Sequence, residues 1–209
     1  MKKFLKWMEN YWYHYKFRTV FIGFLIFVVV FFAVQELKRE HYDYTVVLYL
    51  SETVSPEFEE AVERTLEKYA DDFDGNGEVN VQLLNFSYSP YGSNNDYRLG
   101  QASALMGELQ NNTTFLFITD SYRFDELNEK NIFEQQDFLD SKDNRCFALN
   151  YTPFHKNVYK EFSTISAAEL TVSDMYISTR LAPEQGKKNY PHYEGALKML
   201  QKIASDKGE

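Results

Sequence analysis

The sequence contains a single cysteine, Cys146, in 209 residues. No intrachain disulfide can form, and the absence of a Cys-x-x-Cys pair excludes a thioredoxin-type redox site. Because exported domains often carry disulfides, a lone cysteine favours a bacterial envelope protein, in particular one that faces outward from a Gram-positive cell. The apolar neighbours Phe147–Leu149 indicate that Cys146 is a small hydrophobic residue of the core.

Familiar catalytic and phosphate-binding patterns are missing too. The chain has no G-x-S-x-G turn for a nucleophilic serine and no pair of histidines at metal-ligand spacing. The segment Ser51–Ser55, which follows the first predicted strand, contains an acidic residue and no glycine, so a Rossmann-type phosphate site is disfavoured. These absences predict a protein that is not an enzyme.

One long uncharged stretch, Thr19–Val34, dominates the N-terminal part of the chain. No other segment is comparably apolar, and it predicts a transmembrane helix over residues 19–35. A cleaved signal peptide is the rival interpretation, but the end of the stretch has no A-x-A cleavage pattern and no lipobox cysteine. We therefore expect a permanent signal anchor, and the cell membrane is the first predicted partner.

Residues 1–18 form a basic leader that is rich in tryptophan and tyrosine. Basic residues are more frequent before the apolar stretch than directly after it. They are Lys2, Lys3, Lys6, Lys16 and Arg18 before it, and Lys38 and Arg39 after it. The positive-inside rule therefore predicts a single-pass protein with a cytoplasmic N-terminus and an extracytoplasmic C-terminal domain.

The rest of the chain is strongly acidic. Residues 1–35 hold five basic residues and one acidic residue, a net charge of +4, while the whole chain has −9, so the remainder carries −13. Such a domain repels nucleic acid, which is excluded as a partner, and its charge favours solubility over cation binding. Only a linker over residues 36–43 separates the anchor from the domain. We therefore expect partners in or near the same membrane, such as another membrane or envelope protein.

Strand and helix patterns alternate in the first half of the domain, which is predicted over residues 44–205. Tyr44–Leu50 is rich in β-branched and aromatic residues, and Thr114–Thr119 is a continuous apolar run typical of a buried strand. Ser55-Pro56 is a typical helix start. The order β-α-β-α-β-α predicts an α/β domain of three layers with a mostly parallel sheet.

The second half of the domain is less regular. Short strands are predicted at Cys146–Leu149 and Asp174–Arg180, and a closing helix is predicted at 191–203. Another helix is predicted earlier in the chain, at Tyr97–Asn111. In that helix four apolar residues are predicted to lie on one face: Leu99, Ala102, Met106 and Leu109.

The stretch Asp72–Glu78 is the most motif-like in the chain, because oxygen-bearing side chains at alternate positions begin a calcium loop. The candidate ligands are Asp72, Asp74, Asn76 and Glu78. However, the twelfth position is Leu83, where a bidentate carboxylate is required, and a strand follows instead of a helix. A turn between helix and strand is therefore favoured, with weak Ca²⁺ binding as the alternative and no other cofactor expected.

Ligands of an open parallel sheet bind at the carboxyl ends of its strands. This rule places a candidate ligand-binding site after the first and third strands, with Asn85–Ser87 contributing from the second. The candidate residues are Ser51, Glu52, Thr53, Thr119, Asp120 and Ser121.

Three segments of the chain resemble one lobe of the extracellular solute-binding proteins of ATP-driven importers. They read LMGELQNNTTFLFITD, NIFEQQDFLDS and CFALNYTP. The chain also resembles a group of uncharacterised single-pass envelope proteins of Gram-positive anaerobes. The features that carry this second resemblance are the aromatic leader, the anchor and the segment DGNGEVNVQLL. The first resemblance implies a solute-binding-like lobe. Solute-binding proteins close two lobes on a ligand, and this chain has room for one lobe and a short return segment.

These features favour a membrane-anchored, extracytoplasmic, non-catalytic binding or interaction module. An accessory solute-binding subunit of a transporter is the second hypothesis, which the lobe resemblance suggests. An envelope enzyme is the third and least favoured hypothesis, because the motif search finds no catalytic set.

Overall fold

The structure is a computed structural model that describes residues 2–37, 42–92, 94–111, 113–139, 144–166, 174–182 and 191–208. The chain divides into two units, residues 1–41 and 42–209. The predicted linker over residues 36–43 lies partly outside the described residues, as do the two basic positions that follow the apolar stretch.

The first unit is a single helix, α1 (Lys2–Leu37). Its segment Tyr11–Gln35 is long and apolar enough to cross a membrane, and it is the one such segment among the described residues. Its 25 residues span about 37 Å, which exceeds the ~30 Å of a hydrocarbon core. The predicted apolar helix is therefore confirmed. It begins before residue 19 because the aromatic leader continues the same helix.

The second unit is built on a five-stranded sheet with the strand order β2-β1-β3-β5-β4. Strand β1 pairs in parallel with β2 and with β3, whereas β5 pairs antiparallel with β3 and with β4. The strands are β1 (Tyr44–Tyr49), β2 (Val81–Asn85), β3 (Thr114–Asp120), β4 (Cys146–Ala148) and β5 (Met175–Thr179). The predicted α/β class is confirmed. The sheet is mixed, because β5 runs against both of its neighbours.

Among the described residues, five helices accompany the sheet. They are α2 (Pro56–Glu67), α3 (Asn95–Glu108), α4 (Ser121–Glu129), α5 (Pro153–Ile165) and α6 (Pro191–Ser205). Four of them start at a polar cap whose side chain accepts a hydrogen bond from the backbone N–H three residues later. The caps are Ser55, Asn94, Asp120 and Thr152. The sequence encodes these starts locally, because each cap satisfies an N–H that lacks a partner inside its helix.

Alternate residues of β1 belong to two hydrophobic clusters, one on each face of the sheet. Each cluster includes apolar residues of helices, so helices cover both faces. Val46 and Leu48 belong to the first cluster, which contains the inner faces of α2, α5 and α6. Val47 and Tyr49 belong to the second, which contains residues of α4 and one residue of α3, Leu105. This alternation follows from the two-residue period of a strand.

Helix α3 buries little of its surface. Leu105 is its one buried residue, and Leu99 and Met106 are 66% and 46% exposed. The predicted apolar face of this helix therefore does not pack on the core at Leu99 and Met106. The helix instead directs Leu105 inward, with Leu109 partly buried behind it, and leaves an apolar surface open.

Candidate functional site

Asp120 joins the carboxyl ends of β1 and β3. Its Oδ2 accepts a hydrogen bond from the Ser51 N–H at 2.6 Å, and its Oδ1 accepts one from the Arg123 N–H at 2.8 Å. The side chain is almost fully buried, at 4% exposure. Two predicted site residues, Ser51 and Asp120, therefore come together, but the carboxylate caps α4 and ties two strands.

The other predicted edge residues differ in exposure. Thr119 is buried, Glu52 is half-buried, and Thr53 and Ser121 are exposed. The hydroxyl oxygens of Ser51 and Thr119 are buried and have no hydrogen-bond partner in the part of the chain that the structure describes. The six residues thus do not form one convergent polar set.

A buried arginine, Arg123, lies beside this edge, although it is not among the predicted site residues. It is 2% exposed, and its guanidinium donates hydrogen bonds to the Tyr49 hydroxyl, a Glu126 carboxylate oxygen and the Tyr88 carbonyl, each at 2.8 Å. Its Cζ lies 4.3 Å from the ring centroid of Tyr49 and 4.1 Å from that of Tyr88. Hydrogen bonds and cation–π contacts thus hold the charge in place.

The ionisation states of the groups around Arg123 fit a structural role for this cluster. Burial opposes the charged form of Glu126, but hydrogen bonds from Arg123 and Lys130 outweigh it and lower the pKa of the carboxyl. Burial, followed by the hydrogen bond with Tyr88, raises the pKa of the Tyr49 hydroxyl. At neutral pH the carboxylate is therefore charged and the phenol is protonated, so neither group is poised for proton transfer.

Part of the Arg123 cluster can be read from the sequence. Arg123 follows the cap Asp120 by three residues and precedes Glu126 by three, which is the spacing of a helical ion pair. The two tyrosines come from distant segments, so only the tertiary fold brings them to the arginine.

The segment after β2 continues alongside β1 and so positions Tyr88. The Phe86 N–H donates to the Leu48 carbonyl at 2.8 Å, and the Tyr88 N–H donates to the Leu50 carbonyl at 3.1 Å. The Ser87 hydroxyl oxygen accepts the Leu50 N–H at 2.9 Å. This pairing holds Tyr88 against Tyr49, with ring centroids 5.9 Å apart.

A pocket of about 270 Å³ lies between Tyr88 and the first turns of α3. Its lining residues are Tyr88, Asn95, Arg98, Leu99 and Ala102. Since Tyr88 follows β2 by three residues, the pocket belongs to the strand-end region where ligands were expected. None of the six predicted edge residues lines it.

Arg98 is the charged group of this pocket. Its Nε is shielded from solvent, and among the described residues no hydrogen bond, ion pair or ring contact engages its guanidinium. The other described arginines of this unit have partners: Arg64 with Glu60, Arg123 with Glu126, Arg145 with Asn128, and Arg180 with backbone carbonyls. An arginine that follows Tyr97 on a polar helix turn resembles a solvated surface residue, so the sequence carries no signal for this role.

The loop Asp72–Glu78 is folded by carboxylates that accept backbone hydrogen bonds. Asp72 accepts the N–H groups of Gly75 and Gly77 at 2.7 and 2.8 Å, and Asp74 accepts that of Asn76 at 2.9 Å. Gly75 and Gly77 have φ of 74° and 89°, the left-handed conformation that favours glycine. The Asn76 side chain accepts the Glu78 N–H in turn. These contacts form the turn between helix and strand that the residue types favour.

Asp43 supports the loop from the start of the domain, although it is not among the predicted ligands. Its side chain is 2% exposed. It accepts hydrogen bonds from the N–H groups of Phe73, Asp74 and Asn80 at 2.8, 3.2 and 2.8 Å. Carboxylate oxygens of Asp43, Asp72 and Asp74 lie within 4.8 Å of one another. The fold thus adds a third carboxylate to two of the predicted calcium ligands.

No family model, curated protein or solved structure matches the chain. The choice of function therefore depends on the geometry of the pocket, the Arg123 cluster and the acidic loop. The resemblance to solute-binding lobes and to envelope proteins of Gram-positive anaerobes stays a prediction.

Proposed function

We propose that this protein is a membrane-anchored, non-catalytic binding module. In this proposal α1 holds the chain in the cell membrane with its N-terminus in the cytoplasm, and the α/β domain binds its ligand or partner on the outer side. The basic leader supports the orientation, because basic residues are retained on the cytoplasmic side.

The observation that carries the proposal is the Arg98 pocket, together with the open surface of α3 around it. Leu99 is 66% exposed, Tyr97 and Met106 are each 46% exposed, and Arg98, which has no side-chain partner among the described residues, lies among them. Apolar walls with one charged group to orient a ligand are typical of binding sites. The charged groups near Asp120 are bound to one another or to the backbone, which suits a scaffold better than a catalytic set.

An accessory solute-binding subunit of a transporter is the second candidate. The pocket favours it, because it lies at the strand-end region where open α/β sheets bind small ligands. A single lobe closes on a solute only with a second lobe, so this candidate requires a partner protein that supplies one.

Site-specific photocrosslinking in host membranes tests the binding module. The photoreactive residue replaces Leu99 in the full chain, and a matched control carries it at Tyr159 of α5, which is 39% exposed. We expect one defined crosslinked species from position 99 and none from position 159. A transporter component in that species favours the accessory subunit.

A protein partner on the α3 surface is excluded if position 99 yields only the uncrosslinked chain, or the same products as position 159. The proposal fails if, in addition, the Arg98 pocket binds no small ligand.

A further inference from the structure

The charge of Arg98 has no counterpart among the residues that the structure describes. The domain is acidic, with a net charge of −13 outside residues 1–35 of a chain that totals −9, yet no carboxylate of the described residues pairs with this guanidinium. Its Nε is shielded from solvent and has no hydrogen-bond partner among the described residues, as is also true of the Nε atoms of Arg123, Arg145 and Arg180. Those three guanidinium groups have other partners, whereas that of Arg98 has none in the described part of the chain, so a group that is supplied from outside can satisfy it.

We propose that the Arg98 pocket binds a small monocarboxylate with an apolar body, with Arg98 holding the carboxylate. This inference rests on the proposed function and names the ligand class of the same site. A guanidinium offers parallel N–H donors that match the two oxygens of a carboxylate.

The position of Arg98 on its helix favours an anion. Arg98 lies in the first turns of α3, whose cap is Asn94, and the amino-terminal end of a helix carries partial positive charge. The side-chain amide of Asn95, which also lines the pocket, adds possible donors.

The rest of the pocket selects the body of the ligand. The ring of Tyr88 and the side chains of Leu99 and Ala102 are apolar walls. The volume of about 270 Å³ is just below the range of roughly 300–1,000 Å³ for drug-sized ligands, so the ligand is the size of one or two amino-acid residues. The negative domain repels a dianion more strongly than a monoanion, which favours a carboxylate over a phosphate.

Titration calorimetry with the full chain in nanodiscs of neutral phosphatidylcholine tests the inference. The probe is N-acetyl-phenylalanine, and its uncharged amide is the matched control ligand. We expect saturable binding of the acid, with affinity for the amide lower by at least about tenfold. Arg98→Gln should reduce affinity for the acid by a similar factor, while Arg64→Gln on α2 leaves it unchanged. The arginine Nε–H resonances provide a second readout, in which the Arg98 signal shifts on binding.

Equal affinity for the acid and the amide overturns the inference, as does an Arg98→Gln variant that binds like the wild type. Inorganic phosphate that binds as tightly as the acid overturns the role of the apolar walls. Because Arg98 has no partner in the described part of the chain, its replacement should leave the melting temperature unchanged, so loss of binding is not loss of fold. If carboxylate binding fails while crosslinking from position 99 persists, the inference falls and the proposed function stands.

Discussion

Asp43 is a buried carboxylate that closes the acidic loop onto the start of β1. Its two oxygens accept three backbone N–H groups from residues 73, 74 and 80. An ionised carboxylate suits this position because all of its hydrogen-bonding capacity is for accepting. The sequence places Asp43 in a charged linker, so its role becomes visible only when the loop folds back on it.

Asp43→Asn should destabilise the domain. The amide replaces one acceptor oxygen with a donor that faces a backbone N–H, and an unsatisfied buried donor costs about 1–3 kcal/mol. Thermal unfolding of the full chain, followed by tyrosine fluorescence, measures the change, because both tryptophans lie in the leader. The control is Asp74→Asn in the exposed part of the loop, and an equal loss in both variants contradicts the assigned role of Asp43.

His155 makes stability depend on pH. It is half-buried in the first turn of α5 and its ring centroid lies 4.7 Å from that of Tyr159. Burial lowers the pKa of His155 below its ordinary value of 6.5, so the folded protein binds this proton more weakly than the unfolded chain does. The contribution of His155 is therefore present above pH 6.5 and is lost as the pH falls through the depressed folded pKa.

His155→Gln should flatten the decline in stability on the acid side of neutrality, because glutamine does not titrate. Unfolding midpoints of the wild type and the variant, measured from about pH 7.5 to about pH 5.5, give the two slopes. Identical slopes would show that another group governs this range.

Some of the candidate site follows from residue types, and the rest does not. Ser51 and Asp120 meet as the strand-end rule predicts, since β1 and β3 are parallel neighbours. Arg98 and Asp43 resemble solvated surface residues in the sequence. The role of Asp43 depends on contacts with residues 73–80, and that of Arg98 on the pocket that forms between Tyr88 and α3. Local patterns encode neither.

Among the elements, those with strong local signals match the predictions well. β3 is buried at all seven positions, as its unbroken apolar run predicts, and α2 begins at Pro56 behind its Ser55 cap. The residues of β5 do not encode its direction in the sheet, because that direction depends on the path of the chain that leads to the strand. In α3, Leu105 and Met106 are adjacent apolar residues, so the sequence does not settle which of them faces the sheet.

Two helical glycines should respond oppositely to alanine. A Cβ at Gly100 in α3 would meet nothing within 4 Å, whereas a Cβ at Gly195 in α6 would lie 2.6 Å from Cε1 of Tyr44. Gly100→Ala should therefore raise the free energy of unfolding by roughly 0.5–1 kcal/mol through helix propensity. Gly195→Ala should lower the free energy of unfolding because the Tyr44 ring must move. Thermal melts of both variants check this, and changes of the same sign would contradict the packing of α6 on β1.

The acidic loop should fold without a metal ion. Its carboxylates already accept backbone N–H groups, and Leu83 occupies the position of the bidentate ligand of a calcium loop. We expect the melting temperature of the full chain to be nearly the same in Ca²⁺ as in EDTA. A large upward shift with Ca²⁺ would show that Asp43, Asp72 and Asp74 form a cation site.

At the scale of the whole molecule, the basic leader predicts a defined topology. Protease added to intact protoplasts should remove the chain beyond about residue 40 and leave the leader intact, because only extracytoplasmic segments are accessible. Antibodies against tags at each end give the readout, and lysed protoplasts are the control in which both ends are cut. Protection of the C-terminal domain in intact protoplasts would reverse the orientation.

The strand order has a consequence for how the domain folds during its synthesis. β1 is the first strand to be synthesised, yet it lies inside the sheet between β2 and β3. One of the helices that cover it is α6, whose buried residues belong to the same hydrophobic cluster as Val46 and Leu48 and whose Gly195 would place a Cβ only 2.6 Å from the Tyr44 ring. A ribosome that adds about 5–20 residues per second reaches α6 on the order of ten seconds after β1. The stretch YTVVLYL therefore lacks part of its final apolar cover until α6 has been synthesised, although α2 and β2 follow it directly in the chain.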